Sequence, residues 1–345
     1  MMLSLRFSLC GRAHPPRRSL LILFGALLAT GCGGPISPQT LGPILVCPAN
    51  LTVASPGGNA TPVIYEAPTL IAGEPPIKTI CNPPSGAIFV LGTSTVTCTA
   101  TDAVLRVGSC AFTVTLTGPP KIAATSFVAF GNSVTEGKNA FSVILPNNYP
   151  ANLRTMLITR YTTQAPVISV LNEGRGGETA VDGSDRIRAV LDADHPEVLL
   201  LEEGVNDLLG GDPLKVDVVI EALRDIVRKA KARGVRVFLA TLIPGRPGQS
   251  RSGAVSLIPD TNAKIRQLAP SEGATLVDLY QGFGGSPDPY IDVDGLHPNE
   301  AGYRKIAEIF FDVIKATLEL QPGVPQSMEL VRNMPSQHPP FARFR

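Results

Sequence analysis

Residues 127–137 read FVAFGNSVTEG, an apolar run that breaks abruptly into a Gly-Asn-Ser turn. Phe127, Val128, Ala129 and Phe130 have the unbroken apolar character of a strand covered on both faces, and Gly131 permits a sharp exit that lifts Ser133 clear of the sheet. A helix starting soon afterwards would set the Ser133 hydroxyl and nearby backbone N–H groups at its positive end, where an oxyanion is stabilised. The plainer reading of such a serine is a helix cap. Three distant segments decide between the two.

The chain has 345 residues, 44% of them hydrophobic, enough for two globular domains. Its 30 basic and 29 acidic residues nearly balance, so nothing in the charge points to nucleic acid. Trp is absent, which disfavours an aromatic platform for stacking sugars.

Residues 1–31 carry Arg6, Arg12, Arg17 and Arg18, no acid, and an apolar run from Leu20 to Ala29, the pattern of a signal peptide. Ten apolar residues are too few to span a bilayer as a helix. The Ala29-Thr30-Gly31-Cys32 end is similar to a bacterial lipobox, which implies acylation of Cys32 and anchoring to a membrane on the exported side; ordinary secretion is the alternative. Without the four leader arginines the chain carries a net charge of −3. Residues 32–42, with their Gly and Pro and no charge, read as a tether.

Of six Cys, Cys10 lies in the leader and Cys32 is the lipid site, leaving Cys47, Cys81, Cys98 and Cys110 within one short segment. Four Cys in an exported segment imply two disulfides. The favoured pairing is Cys47–Cys110 with Cys81–Cys98 inside it, the other two connectivities remaining open. A zinc site is excluded because the segment has no CxxC pair and no His. Short alternating stretches at Leu51–Val53, Pro62–Tyr65, Ala87–Leu91, Ser94–Cys98 and Ala111–Thr117 predict a small all-β sandwich. The strings CPANLTV, CNPPSGAIFVLGTSTVTCTATD and SCAFTVTLT resemble a HYR (hyalin repeat) domain over residues 43–118. That resemblance implies an Ig-like unit associated with adhesion, able to bind protein or polysaccharide or to act as an inert spacer. Asp102-Ala-Val-Leu-Arg106 departs from the Asp-x-x-Gly-Asn usual in that family.

From Ser126 onward, buried strands (127–130, 167–171, 198–201, 235–242 and 275–279) alternate with amphipathic segments (149–160, 182–191, 216–232, 260–268 and 298–320). Such alternation predicts a doubly wound parallel sheet of five strands over residues 122–320, with functional groups at the C-terminal ends of the strands. Candidates fall there. After the second strand comes Asn172-Glu-Gly-Arg-Gly-Gly177-Glu-Thr179, where Gly177 can turn a backbone N–H inward; neither Gly-Lys-Ser/Thr nor GxGxxG spacing is present, so a nucleotide loop is excluded. After the third comes Gly204-Val-Asn206-Asp207, whose Asn206 carboxamide can donate a hydrogen bond and whose Asp207 can support the turn. Near the end stands Asp292-Val-Asp294-Gly-Leu-His297-Pro298. His14 is in the leader, His195 precedes a Pro at the start of the third strand and His338 is in the tail, which leaves His297. Asp294, three residues earlier, can fix its tautomer, and Pro298 suits the first position of the last helix. The EF-hand pattern fails at Tyr290 and Ala301, and Glu202 and Glu203 alternate faces, against a glycosidase pair.

The ordered set GNSVTEG, NEGRGGET, GVND and DGLH resembles the SGNH (GDSL-type) hydrolases. The resemblance implies a flavodoxin-like fold and a serine esterase without metal or cofactor. Ser133 then matches the nucleophile, Gly177 and Asn206 the oxyanion donors beside the Ser133 N–H, and Asp294 and His297 the rest of the triad. Asn132 stands where that family commonly has Asp, a change expected to alter the hydrogen bonding of the turn. The ester partner is carbohydrate or lipid or aryl; the missing Trp and the lack of a long apolar lid disfavour a strict long-chain lipase. A silent adhesion lipoprotein is the competing reading. Residues 321–345, rich in Pro and aperiodic, are expected to form a disordered tail.

Overall fold

The computed structural model describes residues 42–320. The leader, Cys32 and its tether through residue 41, and the tail from residue 321 lie outside the described residues. Among those described, no helix is long and apolar enough to cross a membrane.

The N-terminal region is all β: β1 (Ile44–Val46), β2 (Leu51–Ala54), β3 (Thr61–Pro62), β4 (Thr69–Ala72), β5 (Lys78–Asn82), β6 (Ile88–Phe89), β7 (Gly92–Thr101) and β8 (Val107–Thr117). One four-stranded sheet runs in the order β2-β8-β7-β5, with two-stranded ribbons β1-β4 and β3-β6 beside it. The period-2 pattern shapes the long hairpin. Val96, Cys98 and Ala100 of β7 and Phe112, Val114 and Leu116 of β8 are buried, while Thr95, Thr97 and Thr99 face out. The buried set meets Val63 and Phe89 from the β3-β6 side. Both disulfides take the favoured pairing: Cys81 and Cys98 are cross-strand partners on β5 and β7, and Cys47 reaches Cys110 on β8. β1, β4 and β5 have no counterpart among the expected strands, because largely exposed strands carry no alternating signal.

The second region holds β9 (Lys121–Ile122), β10 (Ser126–Gly131), α1 (Ser133–Glu136), α2 (Tyr149–Arg160), β11 (Ser169–Gly174), α3 (Ala180–Asp194), β12 (Val198–Glu202), α4 (Leu214–Lys231), β13 (Arg236–Ala240), α5 (Ile258–Ser271), β14 (Thr275–Val277), α6 (Leu279–Gly282), α7 (Glu300–Leu318) and β15 (Glu319–Leu320). The five-stranded parallel sheet runs β11-β10-β12-β13-β14, a doubly wound order that puts a topological switch beside β10. Alternate residues of β10 feed opposite layers, which is why its sequence is apolar throughout. Val128 and Phe130 join the core under α3, α4 and α5; Phe127 and Ala129 join the one under α2 and α7. In that second layer Tyr149 of α2 stacks on Phe310 of α7, ring centroids 5.3 Å apart. Truncating a fully buried Phe such as Phe127 in such a core costs about 3–5 kcal/mol.

β11 is one of the two edge strands of the sheet. Leu171 is 42% exposed, so its ladder starts and ends later than its apolar residues suggest, at Ser169–Gly174. Pro298 is not the first residue of α7: Asn299 is the N-cap, its side chain accepting from Gly302 N at 3.0 Å, and Pro298 instead bridges to Ile291.

Candidate active site

Ser133 begins α1, a single turn of four residues closed by Gly137 in the left-handed region. One turn has no appreciable macrodipole, so the expected helix field reduces to local N–H groups. Gly131 is needed for a different reason from the one its position suggests: a Cβ there would lie 1.9 Å from Glu202 O and 2.5 Å from Thr135 Oγ1. Strand β12 and the turn approach too closely for any side chain. Asn132 caps α1, its Oδ1 accepting from Val134 N at 2.9 Å, while its Nδ2 donates to Glu203 Oε1 at 3.1 Å. Of these two bonds, the one to Glu203 uses an amide proton that an ionised aspartate at 132 would lack.

His297 Nε2 stands 2.9 Å from Ser133 Oγ, and His297 Nδ1 stands 2.5 Å from Asp294 Oδ2. The other Asp294 oxygen accepts from Leu296 N at 3.1 Å and His297 N at 3.0 Å. Ser133, Asp294 and His297 are all buried. Burial alone would raise the Asp294 pKa, but the hydrogen bonds from the His297 ring and the two backbone N–H groups outweigh it and hold the carboxyl below its ordinary value. The segment is folded locally. Asp292 N donates to His297 O at 2.8 Å, closing the turn at its base. Gly295 takes a φ of 87°, and a Cβ there would meet Arg246 O and Gln249 Cβ at 2.7 Å. Arg246 N and Arg251 N each donate at 2.9 Å, to Gly295 O and Asp294 O, so the β13–α5 connection clasps the loop.

The other two candidate loops leave neighbouring strands. Gly131 pairs in register with Gly174 on one side and Glu202 on the other, so the chain ends after β10, β11 and β12 emerge together. Gly177 has φ 83° and open space where a Cβ would be. Asn206 Nδ2 donates one proton to Glu178 O at 2.8 Å, which ties the Asn206 turn to the Gly177 loop and leaves its second proton for another acceptor. Asp207 does not brace that turn alone: its Oδ2 accepts from Ala180 N at 2.8 Å, binding the turn to the start of α3.

Several supporting residues have no mark in the sequence. The buried Glu178 carboxylate receives Arg186 Nε at 2.7 Å and Nη2 at 2.6 Å, and that guanidinium lies 4.1 Å above the Phe130 ring. Arg186 Nη2 also donates to Glu173 O at 2.9 Å, so one cation holds both ends of the glycine loop. A capping box between Thr179 and Asp182 then starts α3. Only the capping box has a local sequence pattern; the Glu178–Arg186 pair spans a helix start and has none. Glu202 and Glu203 are both buried, each with Oε2 lacking a partner among the described residues. Burial pushes Glu202 up to about 8.

Family comparison agrees with this geometry. The model of the GDSL-like lipase/acylhydrolase family matches residues 129–305, and that of the HYR domain matches residues 38–116. The chain belongs to the GDSL-like lipase/acylhydrolase family and carries an N-terminal HYR domain. It is 30% identical over 217 residues to an acetylxylan esterase of Xylanibacter ruminicola, covering 57% of this chain and 44% of that protein. The chain therefore spans under half the length of that relative. It is 25% identical over 187 residues to an arylesterase of Vibrio mimicus, covering 54% of this chain and 86% of the other. Among solved structures, a lipase/acylhydrolase from Enterococcus faecalis matches with TM-score 0.49 at 22% identity, over 58% of this chain and 98% of that one.

Proposed function

We propose that this chain is an exported serine esterase that removes acetyl groups from carbohydrate through an acyl-enzyme intermediate. The observation that carries the reading is the continuous relay from Ser133 Oγ through His297 to Asp294. Ser133 Oγ attacks the ester carbonyl while His297 Nε2 takes its proton; Asp294 keeps the imidazole in the tautomer that can do so. Collapse of the tetrahedral intermediate expels the alcohol, which receives the proton back from His297. Water then adds to the acyl-enzyme by the same relay, releasing the acid and restoring the Ser133 hydroxyl. The Ser133 and Gly177 N–H groups and the second Asn206 Nδ2 proton serve the oxyanion, each worth about 3 kcal/mol of barrier in comparable sites.

Acetylated carbohydrate is favoured by the likeness to the acetylxylan esterase and by an accessory HYR domain able to hold an enzyme near a polymer. The likeness to the arylesterase supports a second reading, turnover of aryl esters. Acetate release from acetylated xylan, measured beside hydrolysis of nitrophenyl acetate and nitrophenyl octanoate, separates them. Acetate release from the xylan with little octanoate turnover is the expected result; turnover of the nitrophenyl esters with no release from xylan would reverse the choice. Export and anchoring rest on the leader and Cys32. Cys32→Ala should move the protein from the membrane to the soluble fraction, and unchanged membrane retention would sink the lipid anchor.

A further inference from the structure

Glu203 follows directly on β12 and is 1% exposed, yet it has no part in the relay from Ser133 to Asp294. Its Oε1 accepts from Asn132 Nδ2 at 3.1 Å and from Gly204 N at 3.0 Å. On the other side, Asn132 Oδ1 accepts from Val134 N at 2.9 Å. That bond decides which end of the amide faces Glu203: a backbone N–H can only be met by the oxygen, so the nitrogen must point at the carboxyl. Asn132 therefore does two things with one side chain. Its oxygen caps the turn that begins at Ser133, and its nitrogen fastens that turn to the end of β12.

The surroundings make the pairing one-way. Glu202 is the preceding residue, Glu178 lies nearby on the α3 side with its charge taken by Arg186, and Gly183 of α3 closes over the Glu203 methylene, where a Cβ on it would lie 3.7 Å from Cγ. Burial and the neighbouring Glu202 hold the Glu203 carboxyl well above its ordinary range. We infer that Asn132 and Glu203 form one positioning unit for the nucleophile, in which the buried carboxyl at 203 requires a neutral donor at 132. An aspartate at 132 would keep the cap to Val134 but turn its second oxygen toward Glu203 Oε1. Two carboxyls would then share one buried site that cannot hold both ionised, and once neither carries a proton the turn carrying Ser133 would move to part them. Neither residue touches substrate; both act through the placement of Ser133.

The inference rests on Ser133 being the nucleophile, and the test separates the two. The full chain and its Asn132→Asp, Glu203→Gln and doubly substituted forms are assayed on nitrophenyl acetate and melted thermally. Asn132→Asp should lower kcat at least about tenfold with KM within about twofold, since placement and not binding is disturbed. The double variant should recover part of that loss, because the amide introduced by Glu203→Gln can donate to the carboxylate introduced by Asn132→Asp, though its nitrogen then stands where Oε1 also accepts from Gly204 N. Melting temperatures should show the same loss and rescue, a coupling that additive, independent sites would lack. Full activity in Asn132→Asp, or a double variant no better than Asn132→Asp, would overturn the inference while leaving the esterase reading intact. If the unsubstituted chain turns over no ester, the esterase reading fails and the pairing is decided by thermal rescue alone.

Discussion

Asp294 Oδ2 lies 2.5 Å from His297 Nδ1, and the other oxygen of the same carboxylate holds the backbone N–H groups of Leu296 and His297. One side chain thus folds the turn and orients the imidazole it carries. Asp294→Asn should lower kcat on the order of 10³-fold with KM little changed, because an amide nitrogen can face Nδ1 only if the imidazole adopts the tautomer that cannot deprotonate Ser133. Steady-state kinetics check this; a loss under tenfold would mean that Asp294 serves the turn alone. Because the folded pKa is depressed, the stabilisation from this carboxylate is complete above its ordinary value near 3.8 and is lost only as pH falls further, through the folded value.

The Asn206 carboxamide has one proton committed to Glu178 O. If the other meets the oxyanion, Asn206→Ala should lower kcat about 10²-fold to 10³-fold. A matching rise in KM at constant kcat would instead assign it to ground-state binding.

Glu202 gives a pH signature to stability. Its folded pKa, pushed by burial to about 8, lies above the ordinary 4.5, so the folded state binds the proton more tightly than the unfolded chain. Stability should therefore fall as pH rises from about 4.5 to about 8, the slope being set by the extra proton held by the native state. Glu202→Gln, which cannot titrate, should reduce that slope in a series of thermal melts, leaving the part that Glu203 contributes. An unchanged slope would place the titration elsewhere.

Cys47–Cys110 closes a separation of 63 residues and Cys81–Cys98 one of 17. Chain-entropy arguments give about 4 and about 3 kcal/mol respectively. Cys47→Ser with Cys110→Ser should thus destabilise the HYR domain more than the other paired substitution, as measured by denaturant unfolding. The reverse order would show that local strain or residual structure outweighs loop length.

How much is legible in the sequence depends on burial. β10 and β12 can be read almost to the residue because strands covered on both faces are apolar without interruption, and α2 takes the span of its amphipathic segment, Tyr149–Arg160. The half-exposed β11 is shifted from its apolar run and the exposed β4 and β5 leave no trace, since alternation needs one buried face and β4 and β5 bury almost none of their side chains. In the site, Ser133, Asp294 and His297 stand out because a strand end, a glycine turn and a three-residue spacing leave local marks. The partnerships of Asn132 with Glu203 and of Glu178 with Arg186 join separate strands or span a helix start, and no local spacing encodes them. Gly131 stands out in the sequence for the wrong cause: its constraint is the carbonyl of Glu202 on the neighbouring strand, not its own backbone angles.

The proposed catalysis turns on Ser133 being a nucleophile activated by His297. The direct measurement is exposure of the full chain to a fluorophosphonate, followed by mass spectrometry of its peptides. A single adduct on Ser133, absent in His297→Ala, is the predicted result. Adduct formation at another residue, or none while ester turnover persists, would contradict it.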